Sequence, residues 1–547
     1  ITTSCNCSGA IYNNGYCCNF DGKEVWQPID CSSKAYYVSP TGSNDNDGSL
    51  EKPWKTIKHA FLRTLPGDTI LLRQGSYEGE VWIRQIYGRG PGGTMGGTQG
   101  KPKSLMPFPG EEALIKGRIL VDADWVIIKG LHFIDKYITV TGANVKILNN
   151  HFDNEYYGYD IIGIKGAENC LIENNTINIT GRSSVGTMGH GIYIMHSSNI
   201  TIRRNYISGA TGYGIHVYDE RKYEGEAQKY IKNIIIEDNF IKDAKERSGI
   251  LVSAGSNTYI ENVTIKNNII IGCNHMGLLV GKATNIRIYN NIFYRNGRQS
   301  LYISESAEDV VVKNNIFETT ENNNCKVGCS WYSHAHVQVK NQKEVILDNN
   351  LYWPDNVILI GIEDSHPIFA DPLFVDPEHK DFHLQANSPA IDAGVSLPEV
   401  QYDKDGIKRP QGKAYDIGAY EYIPETKPNK CPDGTPYNQC SQTKPLYCQE
   451  GKLIDNCNLC DCPIGMQCMQ NGSCTSYTED LNNDGIVNIF DLVIVAKRYG
   501  AKPTNPNWNS KFDLEKDNRI DEKDLLRVVM RLREIRKAKR VGMARKK

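Results

Sequence analysis

Residues 263–270 read VTIKNNII, and the phrase recurs. The same order, apolar-x-apolar-x-x-Asn-x-apolar, appears as VKILNNHF from Val145, CLIENNTI from Cys170, ITIRRNYI from Ile200, IIIEDNFI from Ile234, IRIYNNIF from Ile286, VVVKNNIF from Val310 and VILDNNLY from Val345. The shared positions are Asn150, Asn175, Asn205, Asn239, Asn268, Asn291, Asn315 and Asn350, with spacings of 25, 30, 34, 29, 23, 24 and 35 residues. Self-similarity at about 20–50 residues marks a solenoid. Alternating Ile and Val marks strands rather than helices. Asn tolerates the left-handed backbone of a tight turn, and stacked Asn side chains can bond from coil to coil. The expected fold is mainly β, a right-handed parallel β-helix.

A second phrase supports this reading. GIKG at Gly163, GIYI at Gly191, GIHV at Gly214, GILV at Gly249 and GLLV at Gly277 follow the Asn turns, with SLYI at Ser300 as a variant. Each coil therefore has at least two strands. Aligning these phrases predicts inward Ile164, Ile192, Ile215, Ile250, Leu278 and Leu301. It also predicts an outward column of Lys165, Tyr193, His216, Leu251, Leu279 and Tyr302. Variation in period falls in the turns, where solenoids place binding and chemistry.

Composition sets limits. The formal net charge of −2 gives no general case for nucleic acid, and no apolar run is long enough to span a bilayer. Because Ile1 is not a start residue, a processed or trimmed chain is expected. Cysteine is clustered: Cys5, Cys7, Cys17, Cys18 and Cys31 at the start, and eight between Cys431 and Cys474. Clusters in small, core-poor segments point to disulfides and an oxidising compartment. The rival is zinc at Cys457, Cys460 and Cys462, but that segment has no His and its eight Cys pair evenly. Asn-x-Ser/Thr triplets at Asn6, Asn174, Asn178, Asn199, Asn262 and Asn471 fit a secreted or cell-surface chain.

The ends carry a family resemblance. AYYVSPTGSNDNDGSLEKPWKTIKHAF from Ala35 holds apolar residues at helical spacing from Trp54 to Leu65, a cap for the open end of the solenoid. This opening, with FADPLFVDPEHKDFHLQANSPAIDAG and DIGAYEY near the other end, resembles secreted β-helix proteins of the polysaccharide-lyase type over about residues 36–422. The expected organisation is a Cys-rich segment at 1–34, the β-helix at 35–424 and a Cys-rich, EGF-like module at 425–476. A calcium-binding module at 477–536 and a basic, unstructured tail at 537–547 follow.

The fourth of these contains DLNNDGIVNIFD, Asp480 to Asp491, with oxygen donors at loop positions 1, 3, 5, 9 and 12 and Gly485 at the turn. That is calcium-loop spacing. DLEKDNRIDEKD, Asp513 to Asp524, repeats it, with Asn518 in place of the turn Gly. Each loop precedes an apolar-patterned helix, and Asp rather than Glu stands at position 12. The pair closely resembles a dockerin, the calcium-dependent plug for cohesin domains. The resemblance implies Ca²⁺ ligands Asp480, Asn482, Asp484, Asn488 and Asp491 with the Ile486 carbonyl. A second set is Asp513, Glu515, Asp517, Asp521 and Asp524 with the Arg519 carbonyl. Loop positions 10 and 11, where the family reads its partner, are Ile489-Phe490 and Glu522-Lys523, so the two halves differ.

On the outer face of the solenoid, Lys165, His216, Tyr218, Asp219 and Arg221 are the candidate catalytic groups, with Tyr193 and Tyr302 as sugar-stacking residues. A cation beside a base suits β-elimination on a uronate polymer. The proton α to the sugar carboxylate is weakly acidic, so the carboxylate must be neutralised while a base takes the proton. The bland reading is a polar solenoid face with a solvated charged turn at Asp219–Lys222. Three functions compete: a polysaccharide lyase, a glycoside hydrolase with Asp160 and Asp219 as its carboxyl pair, and a non-catalytic carbohydrate-binding or adhesive surface protein.

Overall fold

The computed structural model describes residues 16–20, 23–27, 34–85, 95–155, 160–181, 189–219, 229–255, 258–319, 335–341, 344–354, 359–423, 430–460, 462–463, 466–469, 471–482 and 487–544. The chain divides into two compact units, Ser32–Ile423 and a second that joins Ile1–Cys31 with Pro424–Lys547.

The first unit is a parallel β-helix with three strands per coil, one more than the minimum read from sequence. Two sheets have twelve strands each and the third has ten. The first sheet takes the apolar-x-apolar half of each Asn phrase, as in Thr258–Lys266 and Ala283–Tyr289. The second takes the residues after the Asn, as in Ile269–Ile271 and Ile292–Tyr294. The third takes the Gly phrases, as in Ile192–Met195 and Ile215–Asp219. Between coils the registers are parallel and in phase, so Ile200, Ile234, Val263, Ile286, Val310 and Val345 stack as one buried column.

The corner between the first and second sheets departs from expectation in one detail. The left-handed residue is the one before the repeated Asn: Asn149, Asn174, Arg204, Asp238, Asn267, Asn290, Asn314 and Asn349, all near φ +55°. The repeated Asn is thereby turned inward and buried. Each side chain serves its neighbours on both sides. Asn205 Oδ1 accepts from the Asn175 backbone N–H and Nδ2. Asn205 Nδ2 donates to Ile172 O and to Asn239 Oδ1. The eight-residue ladder ends at Asp364, whose Oδ2 accepts from Asn350 Nδ2 at 2.7 Å and from the Tyr352 hydroxyl at 2.7 Å.

A helix at Ile57–Arg63, shorter than the expected span, covers the amino-terminal end with Ile57, Ala60 and Phe61 buried in the core. Its Thr56 cap accepts from the His59 N–H. Buried Lys103 donates from Nζ to Phe61 O and Thr64 O at the helix's negative end, and burial lowers its pKa to about 8. The closing segment lies along the outer side of the second sheet, where Phe374, Phe382 and Ile417 pack on Ile269, Ile292 and Ile316. Outward-turned Asn267, Asn290, Asn314 and Asn349 hold it by donating to Tyr402, Gly418, Val395 and Ala393 carbonyls.

In the second unit, disulfides Cys431–Cys448, Cys440–Cys460, Cys457–Cys468 and Cys462–Cys474 pair all eight cysteines, so no thiolate there is left for zinc. The side chains of the five amino-terminal cysteines lie outside the described residues. Helices Ile489–Ala496 and Glu522–Ala544 follow the two acidic loops. The second helix runs through most of the stretch expected to be an unstructured tail. No helix among the described residues is long and apolar enough to cross a membrane.

Candidate functional site

The outer face of the third sheet gathers aromatic and imidazole rings over two coils. Tyr193 and His216 are register partners on adjacent strands, stacked at 4.7 Å and 16°. Tyr218, two residues on, stacks on the same imidazole at 5.1 Å and 10°. Two residues that the strand alignment missed complete the group. His190 lies 4.1 Å from His216 between ring centroids, and Tyr213 lies 4.6 Å from it. Each immediately precedes a strand glycine, His190-Gly191 and Tyr213-Gly214, so the column one position before the Gly phrase held the missing signal. Those glycines are required by close packing: a Cβ on Gly191 would sit 2.5 Å from Gly214 O and 2.7 Å from Ile207 Cγ2.

Lys165 reaches this group from a different place than expected. The register pairs Gly163, not Lys165, with Tyr193, and sets Lys165 opposite Met195. The expected alignment set every Gly in one column, whereas Gly163 stands two positions further along, opposite Tyr193 and inside its strand. Lys165 folds back over the bare Gly163, where a Cβ would lie 3.0 Å from Lys165 Cε. Nζ then pairs with Asp160 Oδ2 at 2.9 Å and lies 5.5 Å from the Tyr193 ring centroid.

Asp219 is corrected outright. It shares the inward parity of Ile215 and Val217, is fully buried, and is held by His196 and by the Thr258 hydroxyl. It does not join Lys165, Tyr193 and His216 on the outer face, and Asp160 and Asp219 do not form a carboxyl pair across one groove. Tyr302 lies in the Tyr193 column but four strands away, about 19 Å at the usual strand spacing. Arg221, with Glu220 and Lys222, lies outside the described residues.

The electrostatics favour neutral imidazoles. Burial, then the charges of His190 and Arg247, drives the His216 pKa down to about 2. Burial chiefly lowers His190 to about 4. His190 Nδ1 accepts from the Tyr213 backbone N–H at 3.0 Å, which leaves the ring proton on Nε2. His216 Nδ1 has no hydrogen-bond partner among the described residues. Arg247, also absent from the sequence-based set, places a positive charge near both imidazoles and Tyr213. The face thus presents neutral bases, phenols and cations, a set suited to moving a proton beside an anionic sugar.

The two acidic loops of the second unit share one internal bonding plan. Asp491 Oδ1 accepts from the Leu481 and Asn482 N–H groups and Oδ2 from Asn488 N–H. Asp524 does the same for Leu514, Glu515 and Asp521. In the second loop Asp513 also takes the Asp517 and Asn518 N–H groups, with Asn518 left-handed at φ 63°. Asp513, Glu515, Asp517, Asp521 and Asp524 supply only hard oxygen donors, which fits Ca²⁺. In the first loop Asp480, Asn482, Asn488 and Asp491 are described, while Asp484 and Ile486 lie outside the described residues. Ile489, Phe490 and Val493 are exposed on the following helix.

Comparison with known proteins agrees with this architecture. Residues 135–262 and 220–350 match the right handed beta helix region, and residues 478–533 match the dockerin type I domain. The chain is 24% identical over 446 residues to the uncharacterized protein YwoF of Bacillus subtilis, covering 65% of this chain and 91% of that protein. It is 24% identical over 434 residues to pectate lyase L of Dickeya chrysanthemi, covering 72% and 93%. The solved structure of pectate lyase Pel9A superposes with a TM-score of 0.50 at 16% identity, covering 71% of this chain and 96% of that one. The chain thus has the right-handed parallel β-helix fold, and its residues 478–533 match the dockerin type I domain.

Proposed function

We propose that this protein is an extracellular polysaccharide lyase. It cleaves a uronate-containing polymer by β-elimination and docks on a cohesin partner through its calcium-binding module. The observation that carries the reading is the neutral His216 imidazole, stacked among Tyr193, Tyr213, Tyr218 and His190 beside the Lys165–Asp160 pair. In the reaction His216, made more basic by the substrate carboxylate placed beside it, accepts the proton from the carbon α to that carboxylate. That C–H electron pair becomes the new C=C bond, and the C–O bond to the leaving sugar breaks. A phenol, Tyr218 or Tyr213, returns a proton to the leaving oxygen. Lys165 offsets the carboxylate charge as it spreads toward the carbon. Tyr193 offers a ring face on which a sugar can lie. Ca²⁺ held by the two acidic loops orders the dockerin surface that presents Ile489, Phe490 and Val493.

The test follows the ultraviolet absorbance of unsaturated product on pectate, alginate and other uronate polymers. The wild type is expected to produce it. His216→Ala is expected to lose roughly 10²–10⁴-fold in kcat, with circular dichroism showing the β-helix still folded. Reducing ends without absorbance would make the protein a hydrolase. Binding without either signal would make it a carbohydrate-binding surface protein. Loss of cohesin capture on chelation, with lyase activity retained, separates the docking role from catalysis.

A further inference from the structure

A second cluster lies on the outer side of the second sheet, near the amino-terminal end. His132 and His151 are register partners on neighbouring strands, with Phe133 and Phe152 facing inward beside them. Both imidazoles present Nε2 to a single oxygen: His132 Nε2 and His151 Nε2 each lie 2.9 Å from Asp153 Oδ2. The three ligand atoms all fall within 4.8 Å of one another. Two further side chains fix their orientation. Glu112 Oε1 lies 2.8 Å from His132 Nδ1, and Asn178 Nδ2 donates to the other Asp153 oxygen at 3.1 Å.

Carboxylate oxygens face both ring nitrogens of His132, Glu112 at Nδ1 and Asp153 at Nε2, and a neutral ring has one proton to offer between them. A metal ion between Nε2 and Asp153 Oδ2 would leave that proton to Glu112. A second imidazole converging on the same oxygen, and a carboxylate behind the first, are the pattern of a metal site. We propose that His132, His151 and Asp153 bind a divalent transition metal ion of the Zn²⁺ class, with Glu112 and Asn178 as positioning residues. Bonds of about 2.0–2.2 Å in tetrahedral geometry set ligand atoms ~3.3 Å apart, so the observed 2.9 Å contacts need open by only a few tenths of an ångström. Three protein ligands leave a fourth position toward solvent, since all three side chains are partly exposed. Because the ligands come from successive coils, the ion clamps the third and fourth strands of the second sheet together.

The experiment uses the full chain in excess Ca²⁺, which occupies the acidic loops, titrated with Zn²⁺ by calorimetry and with Co²⁺ by visible absorption. The expected result is one ion per chain, a Co²⁺ spectrum without thiolate charge transfer, and a higher melting temperature on loading. His151→Ala and His132→Ala are each expected to abolish uptake. Glu112→Gln, which leaves the ligands in place, is expected to weaken it by about 10–100-fold. Circular dichroism of the metal-free variants confirms folding, and Glu112→Gln serves if an alanine variant misfolds. No uptake by the wild type overturns the proposal and leaves a hydrogen-bonded histidine–carboxylate cluster. Uptake unchanged in the variants, or a thiolate signature, overturns it in favour of cysteine ligation elsewhere.

Discussion

Two columns of side chains run along the same solenoid and obey opposite rules. The buried ladder at the first corner uses one residue eight times, from Asn150 to Asn350. The outward column of the third sheet changes at nearly every coil: Leu120, Thr139, Gly163, Tyr193, His216, Leu251, Leu279, Tyr302 and Gln338. Inside, each Asn needs an identical neighbour to satisfy its donors and acceptor, so repetition is enforced by the cost of an unpaired polar group. Outside, water satisfies whatever is left over, and the column is free to vary. Where this free column turns to buried rings, as at His216, burial is a cost carried for something other than the fold.

The largest expected effect tests that cost. His190 and His216 stay neutral when folded but take up protons when unfolded, at an ordinary histidine pKa near 6.5. Their contribution is therefore intact above pH 6.5. It is lost as pH falls below 6.5, and for His190 the loss ends near its folded value of about 4. Between those limits each histidine costs about 1.4 kcal/mol per pH unit at most. Chemical denaturation at pH 7 and pH 4.5, for wild type and His216→Gln, isolates the term. A variant with the same acid sensitivity as wild type would mean that His216 is not held neutral. Next, Asn239→Ala removes the acceptor for Asn205 and the donor to Ile202 O and Asn268. It is expected to lower stability by roughly 2–4 kcal/mol with no other change at the site.

Smaller effects sharpen the ladder itself. Asp364→Ala leaves the Asn350 amide and the Tyr352 hydroxyl without their acceptor and is expected to cost about 2 kcal/mol. Asp364→Asn keeps one acceptor oxygen and is expected to cost less than half of that in the same denaturation assay. The smallest effect belongs to a second asparagine ladder on the exposed corner, Asn169, Asn199, Asn233, Asn262 and Asn285, joined by amide hydrogen bonds of 2.6–3.0 Å. Asn233 is left-handed at φ 56°, so Asn233→Gly preserves the backbone and is expected to change stability by no more than about 0.5 kcal/mol. A loss as large as that of Asn239→Ala would show that stacking, rather than burial, sets the energy.

The sequence by itself determined the β-helix, because an inward Ile or Val and an inward Asn recur wherever a coil must close on its neighbour. It determined the two acidic loops, because cation ligands follow a local spacing within one loop. It also anticipated disulfides at 431–474, because so small a segment has little else to hold it, though not which cysteines pair. Only the tertiary structure decided the candidate face. Lys165 reaches Tyr193 over the bare Gly163, two residues out of the expected register. Asp219 turns inward by the parity of its strand, and His190 and Tyr213 join His216 from the turns before their strands. The metal-binding cluster joins His132 on one coil to His151 and Asp153 on the next. The physical reason is common to all of these. Packing within a coil is periodic along the chain and leaves a signature in it, whereas contacts across coils depend on registers set by turns of unequal length.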